Sequence, residues 1–293
     1  MSVVRLNHEC IGCLLNKYLK KLPENATESE KLSYSKELLK IMYDADEFTS
    51  APELNEQITA LQKRFFGVAD EYGEIKRHFN ALMLSKEEEI FKKITNSNEP
   101  LKTAVKYAML GNYIDFAAME NVDENKLSDM LLNVDGIKLD KTEYENLKCE
   151  LENAKNLVYL TDNCGEIALD KLLVKSIKKE YPEINVQVIV RGIDVLNDAT
   201  LVDAKQVKMD EIAPVMGNGS GVAGTCLNKI SSAALGKIEN ADVIIAKGQG
   251  NFETLRLCGK NIYYIFMCKC NFFAERFGVP QYSGMLVNDL RLE

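Results

Sequence analysis

The sequence contains little of what several classes of enzyme require. Its 293 residues include only two histidines, His8 and His78, and no tryptophan. A histidine-rich zinc site or a Ser-His-Asp catalytic triad therefore has almost no material, and we interpret His78 as an ordinary surface residue. Any catalysis must depend on carboxylates, amides, lysines or a bound metal ion.

Basic clusters and long apolar runs are also missing. The formal net charge is -8 and no dense block of Lys and Arg occurs, so we expect no nucleic-acid partner. No run of about 18 apolar residues occurs, so we expect no membrane-spanning helix, and the first residues do not resemble a signal peptide. We expect a cytoplasmic protein whose eight cysteines are free thiols. The sequence does not decide the oligomeric state.

The first half of the chain has the apolar spacing of helices. Apolar residues recur at helical intervals in four segments, 28–46, 51–67, 87–94 and 100–120. No segment before about residue 155 has the pattern of a strand. These features predict an all-α subdomain over residues 1–148, and one interpretation of this subdomain is a lid.

The second half changes to short apolar runs that alternate with helical patterns. The predicted strands are 156–161, 186–190, 242–246 and 262–267, and the predicted helices are 168–181, 200–210 and 225–238. Continuous apolar runs are typical of strands buried on both faces, and their alternation with helices indicates a parallel sheet. We therefore predict an α/β class domain over residues 149–293, a three-layer α/β/α sandwich with a mainly parallel sheet.

Polar residues follow two successive predicted strands. Asp162 and Asn163 come after the first strand, and Asn197 and Asp198 follow the next. Ligands of open α/β sheets bind beyond the carboxyl ends of the strands, and oxygen ligands suit Mg²⁺ or Mn²⁺. We predict that Asp162, Asn163 and Asp198 hold a divalent cation, although Asp and Asn also favour turns and helix caps.

The third and fourth predicted strands also end in polar residues. Glu253 lies in the segment AKGQGNFETL, where it could orient a water molecule. Lys269 ends an apolar strand as a point charge suited to phosphate, or as a lysine that extends from apolar surface to water. Polar residues after a single strand could serve solubility alone. Polar residues after four strands, all at one edge of the sheet, indicate a binding or catalytic site.

The motifs together resemble the metal-dependent damage-control phosphatases, long known only as a domain of unknown function. The similar segments include TDNCGEIALD, RGIDVLNDAT, GNGSGVAGT, ADVIIAKGQGNFETL and the lysine of MCKC. In the helical half LGNYIDF is similar to a family motif, and CIGC resembles the stand-alone microbial branch. The resemblance implies a phosphatase with an α/β/α core joined to a helical subdomain.

The resemblance also implies roles for individual residues. The metal ligands of the family correspond to Asp162, Asn163 and Asp198, and its phosphate-binding lysine corresponds to Lys269. Further polar positions expected near the substrate are Asn112, Asp115, Glu166 and Glu253. Cys164 stands where a smaller residue such as Ala is expected.

We therefore expect a phosphomonoester hydrolase acting on a small phosphorylated metabolite with Mg²⁺, Mn²⁺, Co²⁺ or Ni²⁺. In-line attack on phosphorus would be assisted by Lys269 and by backbone N–H groups of the loop 217–225, which includes Gly219. The nucleophile is either water or the carboxylate of Asp162, and the absence of a DxDx[TV] motif favours water.

Four alternatives stay open at this point. The loop 217–224 matches the dinucleotide fingerprint G-x-G-x-x-G, but EIAPVMGN before it is a poor strand. Carboxyl methyltransferase activity is a further possibility for this family. His8, Cys10 and Cys13 could bind zinc with Cys268 and Cys270, or form a redox pair, at no recognised spacing. The helical half could instead be a non-catalytic binding surface.

Overall fold

A computed structural model describes residues 6–67, 72–115 and 123–292. The part before β1 is helical, and no strand occurs among its described residues. Its helices are α1 (His8–Lys20), α2 (Glu28–Asp44), α3 (Ala51–Phe66), α4 (Gly73–Asn96), α5 (Pro100–Gly111), α6 (Glu124–Leu132) and α7 (Lys141–Asn153).

The beginnings of these helices follow from their caps. Thr27 and Ser50 each form a capping box with the glutamate three residues later, which satisfies backbone N–H groups that lack helical partners. The predicted helix 87–94 is part of the longer α4, and the one predicted over 100–120 ends at Gly111. Its predicted residues 116–120 lie outside the described residues.

The second part alternates strands and helices. They are β1 (Asn156–Leu160), α8 (Glu166–Glu180), β2 (Asn185–Val190), α9 (Leu201–Gln206), β3 (Val215–Gly217), α10 (Ser232–Glu239), β4 (Val243–Lys247), α11 (Gly248–Leu255), β5 (Ile262–Met267), α12 (Asn271–Phe277) and β6 (Gly284–Asn288). The strands form one sheet in the order β3-β2-β1-β4-β5-β6. All neighbours are parallel except β5 and β6.

Alternate residues of the central strand face two different hydrophobic cores. Leu157 and Tyr159 pack with residues of α4, α5 and α8, whereas Val158 and Leu160 pack with residues of α10, α11 and α12. Side chains of a strand alternate between the two faces of a sheet, so helices cover both faces. The predicted α/β class and three-layer sandwich are confirmed.

The helical part contributes to two cores. Helices α1, α2 and α3 enclose a small core of their own around Tyr34 and Leu54, whereas α4 and α5 share the larger core with the sheet. Helix α7 runs across position 148, where we predicted the domain boundary; that division stays a prediction. No described helix combines the length and apolar character that crossing a membrane requires.

Two predicted helices differ from the structure. The helix predicted over 200–210 ends at Gln206, because Lys208 adopts a left-handed backbone with φ 58° before a short 3-10 turn. The helix predicted over 225–238 begins only at Ser232, because Ser231 is its N-cap and accepts a hydrogen bond from the N–H of Ala234. Residues 225–231 form part of a loop.

The glycine-rich loop differs from a dinucleotide-binding turn. The segment EIAPVMGN, which we interpreted as a poor strand, contributes only the three residues of the edge strand β3, which pairs with β2 directly after Pro214. The helix that should follow the third glycine, Gly224, is displaced to Ser232. The fingerprint places the phosphate at a helix N-terminus directly after the turn, and this loop does not provide one there.

Candidate functional site

The site lies at the carboxyl ends of the central strands. The order of the sheet reverses beside β1, which has β2 on one side and β4 on the other. Open α/β sheets bind ligands at such a switch point. Asp162 follows β1, Arg191 follows β2 and Lys247 ends β4, so charged side chains from three neighbouring strands meet at this edge.

Asp162 is held from several directions. Its Oδ2 atom accepts hydrogen bonds from Asn112 Nδ2 at 3.0 Å and from Asn163 Nδ2 at 2.7 Å. Its Oδ1 atom lies 3.4 Å from Arg191 Nη2. Gly248 makes room for the carboxylate, because a Cβ atom there would fall 1.9 Å from Asp162 Oδ2.

The loop after β2 brings Asp198 to the same place. Asn163 and Asp198 form an antiparallel backbone bridge, and the N–H of Ala199 donates to the carbonyl of Asp162 at 2.7 Å. Asn197 Nδ2 donates to Asn163 Oδ1 at 2.9 Å. The structure therefore brings together Asp162, Asn163 and Asp198, the three predicted cation ligands.

Burial disfavours the charged forms of the carboxylates in this cluster. It raises the pKa of Asp162, and the charges of Asp198 and Glu166 raise it further. Burial also raises the pKa of Asp198, against the attraction of Arg191, whose Nε donates to Asp198 Oδ2 at 2.6 Å. Buried carboxylates in contact need positive charge to remain ionised, and Arg191 supplies one such charge.

The donor atoms fit a hard divalent cation. Asp162 and Asp198 offer carboxylate oxygens and Asn163 offers an amide, which is the oxygen chemistry of Mg²⁺ and Mn²⁺ sites. Beside them, the buried Oδ1 atom of Asn197 has no hydrogen-bond partner among the described residues. An unpaired buried acceptor is costly, so a cation or its water there would satisfy it.

Groups of three or more His, Cys, Asp or Glu side chains suited to a metal ion are absent from the described ranges. The predicted ligands are two carboxylates and one amide, and so do not form such a group. The alternative of a zinc site at Cys10 and Cys13 would require a group of this kind. All eight cysteines, each within the described ranges, are free thiols as predicted.

Glu166 lies beneath these residues as part of a buried ion cluster. It is fully buried and accepts from Asn112 Nδ2 at 3.0 Å and from Asn163 Nδ2 at 2.9 Å. Lys247 Nζ donates to Glu166 at 2.6 Å, to Asp170 at 2.7 Å and to the carbonyl of Ala108 at 2.8 Å. Glu166 thus supports the amides of the site from below.

Lys269 and Asp115 form a second group. Their side chains pair at 2.6 Å, and both are mostly buried. The charge of Asp115 raises the pKa of both Asp162 and Asp198, after burial and other causes. Asn112 connects the groups, because its Oδ1 accepts from the N–H of Met267 at 3.0 Å.

Two predicted site residues have partners other than the three proposed cation ligands. Glu253 accepts from Gln249 Nε2 at 2.7 Å, and burial raises its pKa against this hydrogen bond. Gly219 lies against Gly192 and Ser231. No hydrogen bond among the described residues joins either of them to Asp162.

Many backbone N–H groups of the loop 217–225 already donate hydrogen bonds to acceptors of the protein itself. Donors to internal acceptors include the N–H groups of Asn218, Ser220, Val222, Gly224 and Thr225. These groups are therefore committed within the protein. The proposed role of the loop in binding phosphate then depends on its remaining donors.

Sequence reasoning missed Arg191, which is 1% exposed. Besides the two aspartates it contacts Asn251 Oδ1 at 3.2 Å and Thr225 Oγ1 at 3.5 Å. The available signal was an arginine directly after an apolar strand, in VIVRG. A charge in that position is held at the strand end, where it faces the site.

Fold and site together define a doubly wound α/β protein with an acidic, oxygen-rich site at the switch point of its sheet. Residues 6–285 match the family described as the damage-control phosphatase ARMT1-like domain. The chain belongs to this family, as the sequence motifs predicted. Membership of the family supports a phosphatase activity.

Relatives and a solved structure agree along almost the whole chain. It is 33% identical to a damage-control phosphatase of Archaeoglobus fulgidus, covering 94% of this chain and 96% of that protein. An uncharacterized protein of Methanocaldococcus jannaschii is 32% identical over 97% of this chain and 95% of its own length. A crystal structure of a DUF89 family protein from Pyrococcus horikoshii superposes with a TM-score of 0.81 at 26% identity, covering 97% of this chain and 99% of that one.

Proposed function

We propose that the protein is a divalent-metal-dependent phosphomonoester hydrolase acting on small phosphorylated metabolites. The observation that carries the proposal is the meeting of Asp162, Asn163 and Asp198 from two successive βα junctions. A phosphate ester is an anion, and two bare carboxylates would repel it, so the site needs a cation to accept it. The names of the relatives, which include damage-control phosphatases, support the same reaction class.

Each part of the site has a role in this proposal. A divalent cation supplies Lewis-acid polarisation of the phosphoryl group and increases the acidity of water. Asp162, Asn163 and Asp198 hold the cation. Arg191 is a fixed positive charge in contact with Asp162 and Asp198, and Lys269 is a second positive charge, paired with Asp115. Both would stabilise the charge that develops on the phosphoryl oxygens.

The nucleophile is proposed to be water. Asp162 Oδ2 already accepts from Asn112 and Asn163, and its Oδ1 faces Arg191. These contacts fix the carboxylate in one orientation, which suits a ligand. Trapping a phosphoenzyme with a radiolabelled substrate would contradict this assignment and favour Asp162 as the nucleophile.

The proposal is tested with a chromogenic phosphate monoester and Mg²⁺, Mn²⁺, Co²⁺ or Ni²⁺. We expect Asp198→Ala to lose activity by about a hundredfold or more, because a cation ligand is gone. Lys269→Ala should lose about a hundredfold as a lost transition-state donor, with unchanged Mn²⁺ affinity. Asp194→Ala is the control, since Asp194 lies on the same loop with an 82% exposed side chain.

Full metal-dependent activity in both Asp198→Ala and Lys269→Ala would remove this site from the reaction. A chelated wild-type protein that retains activity would remove the metal requirement. For the substrate, a panel of sugar phosphates, phosphopantetheine-like compounds and other phosphorylated metabolites should be ranked by kcat/KM with the best metal.

A further inference from the structure

Asn80, on helix α4, lies between the two segments that carry the proposed cation ligands. Its side chain is fully buried. The Oδ1 atom accepts from the N–H of Gly165 at 2.6 Å. The Nδ2 atom donates to Asp203 Oδ1 at 2.8 Å and to Gln206 Oε1 at 3.0 Å. One amide thus links the segment after β1 to the segment after β2.

Two of these three partners, Gly165 and Asp203, lie near proposed ligands in the sequence. Gly165 ends the turn that begins at Asp162, and its backbone is in the left-handed region at φ +67°. Asp203 caps helix α9, because its Oδ2 accepts from the N–H and the hydroxyl of Thr200 at 2.8 Å. Thr200 is two residues beyond Asp198, so the cap fixes the chain next to that ligand.

Two preceding residues of α4 reinforce these contacts, one toward Asp203 and one toward Gly165. One helical turn earlier, Lys76 Nζ lies 3.0 Å from Asp203 Oδ2. The preceding residue, Phe79, packs against Gly165, where an added Cβ would fall 3.1 Å from Phe79 Cβ. Helix α4 therefore contacts the two ligand-bearing segments through adjacent side chains.

We propose that Asn80 is a positioning residue that sets the spacing of Asp162 and Asn163 relative to Asp198. The proposal rests on the cation site assigned above. Residues that orient ligands typically change metal affinity when they are replaced. A side chain that only joined the helical part to the sheet would affect stability without affecting cation affinity.

The first measurement is the dissociation constant of Mn²⁺ by titration calorimetry on the metal-free protein. We expect Asn80→Ala to weaken binding by about tenfold. Asn55→Ala is the matched control, because Asn55 is a 5% exposed amide of the helical part that accepts from Tyr18 at 2.6 Å. It should lower the melting temperature without changing Mn²⁺ affinity.

A reciprocal exchange tests the geometry. In Asn80→Asp, two carboxylates face each other. In Asp203→Asn, an NH2 donor replaces one of the two acceptor oxygens, and it then faces a donor of either Asn80 or Thr200. The double variant Asn80→Asp/Asp203→Asn restores one donor facing one acceptor, while position 80 can still accept from Gly165. We expect each single variant to weaken Mn²⁺ binding and the double variant to recover it to within about threefold.

The outcomes separate the two proposals. If wild-type protein binds no Mn²⁺, or Asp198→Ala binds it like wild type, the cation site and this inference both fail. If Asp198→Ala loses Mn²⁺ binding but Asn80→Ala keeps the same Mn²⁺ affinity as Asn55→Ala, only the inference about Asn80 fails. The inference also fails if the double variant recovers no Mn²⁺ affinity. Should Asn80→Ala not fold, the isosteric Asn80→Asp takes its place in the same comparison.

Discussion

Replacing Gly248 by alanine should displace Asp162 from its place in the site. Gly248 begins helix α11 with φ +80°, in the left-handed region. An added Cβ would fall 1.9 Å from Asp162 Oδ2 and 2.1 Å from its Cγ. To reach even a tight contact of 3.0 Å, the Cβ atom and the carboxylate would have to move apart by about 1 Å. A separation of 3.0 Å is still shorter than an ordinary van der Waals contact.

The size of the effect follows from three contributions. A left-handed alanine costs about 1–2 kcal/mol. Moving the carboxylate also disrupts its hydrogen bonds to Asn112 and Asn163, and buried groups left unpaired cost about 1–3 kcal/mol. A displacement near 1 Å at a reacting centre can reduce the rate about a hundredfold. We therefore expect Gly248→Ala to be about 2–5 kcal/mol less stable and strongly impaired in Mn²⁺ binding.

Gly278→Ala provides the matched control. Gly278 also has a positive φ, +64°, but an added Cβ there would meet nothing within 4 Å. It should lose only the backbone contribution and keep both Mn²⁺ affinity and activity. Both variants are compared by denaturant unfolding, Mn²⁺ calorimetry and phosphatase assay. Equal stability and equal Mn²⁺ affinity in the two variants would refute the reasoning, because the contact with Asp162 would then have no consequence.

Two further predictions concern the buried ions and the shared core. Lys247→Met should lower the free energy of unfolding by about 3–5 kcal/mol, because it leaves two buried carboxylates without their cation. Denaturant unfolding measures this loss. The control is Lys205→Met, which removes a surface ion pair with Asp210 and should change the free energy of unfolding little. A fragment of residues 149–293 should lack a cooperative thermal transition by circular dichroism, whereas residues 72–293 should keep one, since only the latter retains α4 and α5. The reverse result would place the folding boundary at 148.

The sheet could be predicted because its central strands are continuous apolar runs. The strands that prediction missed lack this signal. β3 is three residues long and follows Pro214, and β6 is a five-residue edge strand paired antiparallel. Helix α11 begins with Gly-Gln-Gly-Asn, and its two glycines are poor helix formers. Tertiary contacts, such as those of Asn251 with Arg191 and Thr161, fix its conformation instead.

The site was predictable where it follows directly from strand ends. Asp162 and Asn163 follow the apolar strand β1 closely, and Asp198 lies in the loop between β2 and α9, so the order of strands and helices brings both segments to one edge of the sheet. Asn80 carries no such signal, since its partner Gly165 lies 85 positions away in the sequence. The packing of α4 against α8 and α9 shows which face of that helix meets the site.

The shared core also limits how the helical half could act as a lid. Asn112, at the end of α5, is fully buried and bonded to Asp162, Glu166 and the N–H of Met267. Opening at α5 would break these bonds and expose the core that α5 forms with α8. Helices α1–α3 have a separate core, and a surface ion pair between Glu56 and Lys229 is among their contacts with the α/β part. Such exposed pairs contribute little, so any movement that admits substrate should involve α1–α3, while α4 and α5 stay fixed as part of the site.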